Sequence, residues 1–188
     1  STNELFISIF FTYDDVFLFT LYNRVYLIVT NLILLTLQPI WNEISILNAS
    51  KNNARLKIVI FVIILILTIS ILTSTILFIF EADIFRLFYG ISNYGYNLIY
   101  STYFALFSIF IVVNSLVNVF SNALNRLKNQ ITFYFFGFII KVVTSLILFY
   151  FKAQYDFSIY LTISIFIIVS YAMIESRNII NYFINLKG

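Results

Sequence analysis

Five apolar stretches, at roughly residues 16–41, 57–80, 97–120, 131–151 and 157–180, constrain this chain more than anything else in it. A helix needs about 20 mostly apolar residues to cross a bilayer, and each stretch reaches or approaches that length. The segments between them are short: "YDD" at 13–15, "NEISILNASKNNARLK" at 42–57, "EADIFRLFYGISNYGYN" at 81–97, "SNALNRLKNQ" at 121–130 and "KAQYD" at 152–156. They leave no room for a domain outside the membrane. Composition agrees, with 62% hydrophobic and 10% charged residues against roughly 45–50% and about 25% in soluble domains. The expected fold is all-α, a polytopic transmembrane helix bundle of about five full spans. Residues 1–12, "STNELFISIFFT", read as the end of a further span that begins upstream. They lack a basic region followed by a cleavage site, so they do not read as a signal peptide. The chain is therefore expected to be a piece of a longer protein.

Charge fixes an orientation. Alternate connections place Lys51, Arg55, Lys57, Arg126, Lys128 and Lys187 on one side of the membrane. The other side has Arg86 and Lys152, with the acids Asp14, Asp15, Glu81, Asp83 and Asp156. By the positive-inside rule the first side is cytoplasmic. The C-terminus is then cytoplasmic and "YDD" faces outward.

The polar residues within the spans are the candidate functional groups. Arg24 lies ten residues after Asp14, about 15 Å at 1.5 Å per residue, near the midplane of a ~30 Å core. Asn31 and Gln38 follow at steps of seven, nearly two helical turns, so the three share one face, with Thr20 a turn above. A charge at that depth costs at least a few kcal/mol unless it meets water or a partner. The face therefore lines a cavity, or Arg24 pairs with a neighbouring helix. Glu4 lies ten residues before Asp14. In an antiparallel hairpin it matches Arg24 in depth, as an ion pair or as a second cavity group. Lys141 is central in its span, with Gly137, Thr144 and Ser145 one turn away; it either serves a cavity or snorkels at a packing interface. Asn114, Asn118, Ser121 and Asn125 form a further stripe, of the small-polar type that joins membrane helices. Pro39 removes a backbone donor and is expected to kink its helix near the inner surface, where Trp41 suits the interface. The following "NEISILNAS" is expected to continue as a short interfacial helix.

Several chemistries are excluded. Histidine and cysteine are absent, which removes the commonest general base and metal ligand along with any thiolate site. There is no phosphate loop and no nucleophile–base pair. No enzyme activity, metal, cofactor or nucleic-acid partner is expected.

The order of the motifs resembles a known family. "LYNRVYLI" at the start of a helix, "QPIWNE" at its cytoplasmic end, and then "ISILNASKNNARLK" look like the polysaccharide flippases of the multidrug/oligosaccharidyl-lipid/polysaccharide exporter superfamily. "SNALNRLKNQ" is similar to that family's N-G-x6-Q turn, with Ala123 in place of glycine, and "EADIFRLFYG" resembles the outer segment after the ninth span. The resemblance covers the whole chain, 1–188, as the C-terminal lobe of a two-lobe, twelve-span transporter. It implies a bacterial or archaeal cytoplasmic membrane, membrane lipid, a lipid-linked oligosaccharide on polyprenyl diphosphate as substrate, and the missing N-terminal lobe as partner. It also implies that the first two helices of the lobe line a central cavity. Arg24, Asn31, Gln38, Glu4 and Lys141 are then the candidate substrate-binding residues, with Arg24 as the diphosphate cation. A drug/cation antiporter, a peptidoglycan-precursor flippase and, in another class, a membrane polysaccharide polymerase are the alternatives.

Overall fold

The computed structural model describes residues 2–50, 53–90, 97–150 and 158–187. The described residues form seven helices and no strand: α1 (Thr2–Phe10), α2 (Tyr13–Leu35), α3 (Leu37–Ser50), α4 (Asn53–Tyr89), α5 (Leu98–Ala123), α6 (Leu127–Tyr150) and α7 (Ser158–Lys187). Five stretches are long and apolar enough to cross a membrane: Tyr13–Leu47, Leu56–Tyr89, Leu98–Ala123, Leu127–Ile147 and Ser158–Asn181. The protein is an all-α, multi-pass membrane bundle. Lys51, Lys152 and Asp156 lie outside the described residues, as do the side chains of Glu4, Arg55 and Lys187.

The helix ends follow local chemistry. Thr12 caps α2 with a reciprocal box: its side chain accepts from the Asp15 N–H and the Asp15 carboxylate accepts from the Thr12 N–H. That satisfies orphan donors at both positions and starts the helix three residues after α1 ends. The break expected at Pro39 falls three residues earlier, at Thr36. A proline ring clashes with the carbonyl four residues upstream, here that of Leu35, the last residue of α2. The Thr36 hydroxyl donates to the Ile33 carbonyl at 2.6 Å and helps close that end. Between α5 and α6 the chain reverses over three residues. Asn125 takes φ +56°, the Asn125 N–H donates to the Asn122 carbonyl, and the Arg126 N–H donates to Ser121 at 2.7 Å. This is a Schellman closure, with asparagine as the left-handed residue.

α4 corrects the sequence reading. The span expected to end near residue 80 continues through "EADIFRLFY" to Tyr89. Its 37 residues extend about 55 Å, more than the ~30 Å hydrocarbon core, so α4 projects beyond the membrane or lies tilted. α3, which carries the segment expected at the interface, packs inward. Leu37, Ile40, Ile44 and Leu47 are all buried and form one ridge at helical spacing, seated on α4 and α5.

α5 is the hub and packs on α2, α3, α4, α6 and α7. Two cores lie along it. The one toward its N-terminal end is aromatic: Phe104 stacks on Tyr22 with ring centroids 5.1 Å apart, and Phe19 and Tyr26 sit against the same ring. The one toward its C-terminal end is largely aliphatic, with Val112, Leu116 and Val117 against Ile33, Ile40, Ile44 and Ile66. The outer surface is apolar too. Ile60, Phe61, Ile64, Leu72, Ile76 and Ile79 stand exposed along α4. A surface of that kind is stable only in lipid or against another protein.

Candidate functional site

α2 presents two unlike sides. Toward the bundle it buries Phe19, Tyr22, Asn23, Val25, Tyr26, Thr30 and Ile33. On the opposite side Arg24 and Asn31 are exposed, and Gln38, beyond the Thr36 break, is exposed with them. Ile28, Leu32 and Leu35, also exposed, flank this polar row. The expected stripe is thus a continuous outward face. Arg24 makes no hydrogen bond or ion pair with any described side chain. The Glu4 side chain lies outside the described residues, although α1 does pack against α2 as the hairpin requires. At its lower end the stripe enters a groove of about 580 Å³, where Gln38, Trp41 and Asn42 face Ser115 and Asn122 of α5.

Lys141 belongs to a second place. It is half-buried and lines a cavity of about 370 Å³ among α1, α5, α6 and α7, together with Asn3, Asn114, Tyr134, Gly137 and Ser164. The ammonium donates to Asn3 Oδ1 at 2.8 Å, and the Ser164 hydroxyl donates to the same oxygen at 3.1 Å. Neither Arg24 nor Asn31 lines this cavity. The five candidate residues therefore do not form one cluster. Arg24, Asn31 and Gln38 share the α2–α3 face, while Lys141 sits within the lobe with Asn3, a neighbour the sequence reading did not single out. Asn3 is 138 positions away from Lys141 in sequence, and no periodicity could have joined them.

The asparagine stripe of α5 does what small polar residues do at membrane helix interfaces. The Asn114 and Asn118 amides both donate to the Tyr134 hydroxyl of α6, at 2.7 and 2.8 Å. Ser121 bonds the Tyr171 hydroxyl of α7 at 3.2 Å. Asn125 instead makes the turn.

Two buried acids complete the polar interior. Glu175 on α7 is 0% exposed and accepts from Asn129 and Asn178. Glu81 on α4, also 0% exposed, accepts from the Tyr26 hydroxyl at 3.0 Å and the Ser101 hydroxyl at 2.7 Å. Sequence reasoning placed Glu81 in an outer loop. The available signal was the row Leu77–Glu81–Phe85, three residues at helical spacing that carry the α4 pattern past the acid. Among the described residues no group of three acidic side chains could hold a metal ion.

This geometry has no counterpart to borrow from: no family model, no curated protein and no solved structure matches the chain.

Proposed function

We propose that this chain is one lobe of a membrane transporter that moves polyprenyl-diphosphate-linked oligosaccharide units across a bacterial or archaeal cytoplasmic membrane. One observation carries the reading: an exposed arginine, with no partner among the described side chains, about 15 Å along the helix axis from Asp14. A guanidinium left in lipid at that depth costs at least a few kcal/mol. Something must cover the face, and a second lobe enclosing a hydrated path does so. The mixed character of the face suits a lipid-linked sugar. Arg24 can donate two parallel hydrogen bonds to a phosphate. Asn31 and Gln38 offer amides to sugar hydroxyls, and Ile28, Leu32 and Leu35 meet an isoprenoid chain. The protein's share of the work is binding and passage; no bond needs to be made or broken.

A cation antiporter is less well supported. It requires carboxylates grouped around an ion, whereas Glu81 and Glu175 lie toward opposite ends of α5, through Ser101 and Ser121–Tyr171 respectively.

The test is export of the lipid-linked saccharide by cells carrying the whole transporter. Arg24→Ala reduces export while membrane abundance is unchanged, and Arg24→Lys restores only part, because an ammonium keeps the charge and loses the planar fork. Normal export by Arg24→Ala at equal abundance would overturn the reading.

A further inference from the structure

The three close contacts around Glu81, from Tyr26, from Ser101 and from Ser101 to Asn97, need one hydrogen more than the two hydroxyls supply if the carboxylate is ionised. The Ser101 hydroxyl lies 2.7 Å from Glu81 Oε1 and 2.9 Å from the Asn97 carbonyl oxygen. A hydroxyl has a single hydrogen and two acceptor positions. It can donate to the carboxylate or to the carbonyl, not to both. If Ser101 donates to Asn97, the short contact to Glu81 is a hydrogen bond only when Oε1 itself carries a proton and donates to Ser101 Oγ. The chain Glu81 Oε1–H to Ser101 O–H to the Asn97 carbonyl is then complete, and the Tyr26 hydroxyl still donates to Oε2 at 3.0 Å. If Glu81 is ionised, Ser101 turns and donates to Oε1. The Asn97 carbonyl is not orphaned, since it keeps the Ser101 backbone N–H at 3.0 Å. Both protonation states are satisfied by the rotation of one hydroxyl.

We propose that Glu81 is a reversible proton-binding site, with Ser101 and Tyr26 as the hydroxyl partners that accommodate its charged and neutral forms.

The surroundings fit a site that exchanges a proton rather than a fixed ion pair. The groups bonded to Glu81 are hydroxyls: Tyr26 of α2 and Ser101 of α5. Among the described residues no basic side chain pairs with it. On its own helix, Asp83 and Arg86 are exposed and point away from the buried side. Ser101 lies in the first turn of α5, whose capped N-terminus leaves a partial positive charge nearby. That offsets part of the cost of the anion. Ser101 and the Asn97 cap place the site one turn inside the N-terminal end of α5. Tyr26 stands two residues from Arg24 on the other side of α2, so a change of bonding at Glu81 acts on the helix that carries the exposed face. Only this link to transport rests on the function proposed above; proton binding does not.

Infrared difference spectroscopy of the chain in lipid bilayers, titrated in pH, reads the proton directly. A carboxylic acid C=O band appears on acidification, shifts down in D2O, and is absent from Glu81→Gln. It persists in Glu175→Gln, the control. Tyr26→Phe serves as the second variant, in case Glu81→Gln fails to fold. It retains the acid but removes the donor to Oε2, the carbonyl oxygen of the neutral form, so the band moves to higher wavenumber. A titrating band unaffected by Glu81→Gln or unmoved by Tyr26→Phe overturns the proposal, and so does the absence of any titrating carboxylic acid band. None of these results depends on export, so a failure of the transport reading is seen separately in the Arg24 variants.

Discussion

Removing the hydroxyl of Tyr26 isolates the worth of the α2–α4 bond. Tyr26 and Glu81 are both fully buried, and the phenolic hydroxyl donates to Oε2 at 3.0 Å. Tyr26→Phe keeps the ring against Phe104, at 6.1 Å between centroids, so little packing is lost. What remains is a buried carboxyl with one donor fewer. Bonds to charged groups contribute about 1.5–3 kcal/mol in soluble proteins. Interhelical bonds in membranes average about 0.6 kcal/mol and reach about 1.7, because the unfolded state in lipid also finds partners. A buried acid belongs at the upper end, so Tyr26→Phe is expected to lower stability by about 1–2 kcal/mol. The assay is reversible unfolding in mixed micelles or bicelles, carried out as a double-mutant cycle with Glu81→Leu, which leaves no acceptor for the hydroxyl. The cycle should return a coupling of about 1 kcal/mol, above the ~0.3–0.5 kcal/mol scatter of independent sites. A coupling within that scatter would refute the argument that this bond holds α2 to α4.

Other perturbations follow from the same geometry. Asn125→Val places a branched side chain at φ +56° and should cost about 1–2 kcal/mol by the same unfolding assay, whereas Asn125→Gly should be neutral or mildly stabilising. A side chain built on Gly137 meets Ile167 at 3.0 Å, so Gly137→Leu should wedge α6 from α7 and destabilise by about 1–3 kcal/mol. Cysteines introduced at Asn53 and Asn129 should resist a membrane-impermeant reagent applied from outside, while one at exposed Tyr13 should react; labelling of either of the first two from outside would overturn the orientation.

The spans were legible because membrane length and apolar content speak directly: a run of 20 such residues has few alternatives to a helix. The stripe of Arg24, Asn31 and Gln38 was legible for a similar reason, since a step of seven keeps side chains on one face whatever packs behind them. What was lost depended on distance or on charge. Glu81, Asp83 and Arg86 looked like a loop because charged residues usually end a span, yet α4 runs nine residues past the expected end at 80, with Glu81 turned inward. The interruption caused by Pro39 was legible, and it falls at Thr36 because the ring acts on the carbonyl four positions earlier. Lys141 was picked out with Gly137, which lines its cavity, and Ser145, whose hydroxyl bonds the Lys141 carbonyl at 2.7 Å and Tyr160 at 2.7 Å. Its acceptor Asn3 comes from the other end of the chain, and only the fold brings it there.

The outward face of α2 is proposed to meet a lipid-linked, diphosphate-bearing sugar. A photo-crosslinking residue at position Asn31, compared with one at position Ile76 on the exposed surface of α4, tests it most directly in the whole transporter supplied with a radiolabelled polyprenyl-diphosphate oligosaccharide. Both positions are exposed. Capture of the labelled lipid is expected at Asn31, reduced by Arg24→Ala and by excess unlabelled polyprenyl diphosphate, with only background capture at Ile76. Equal capture at the two positions, or capture at Asn31 indifferent to Arg24→Ala, would contradict it.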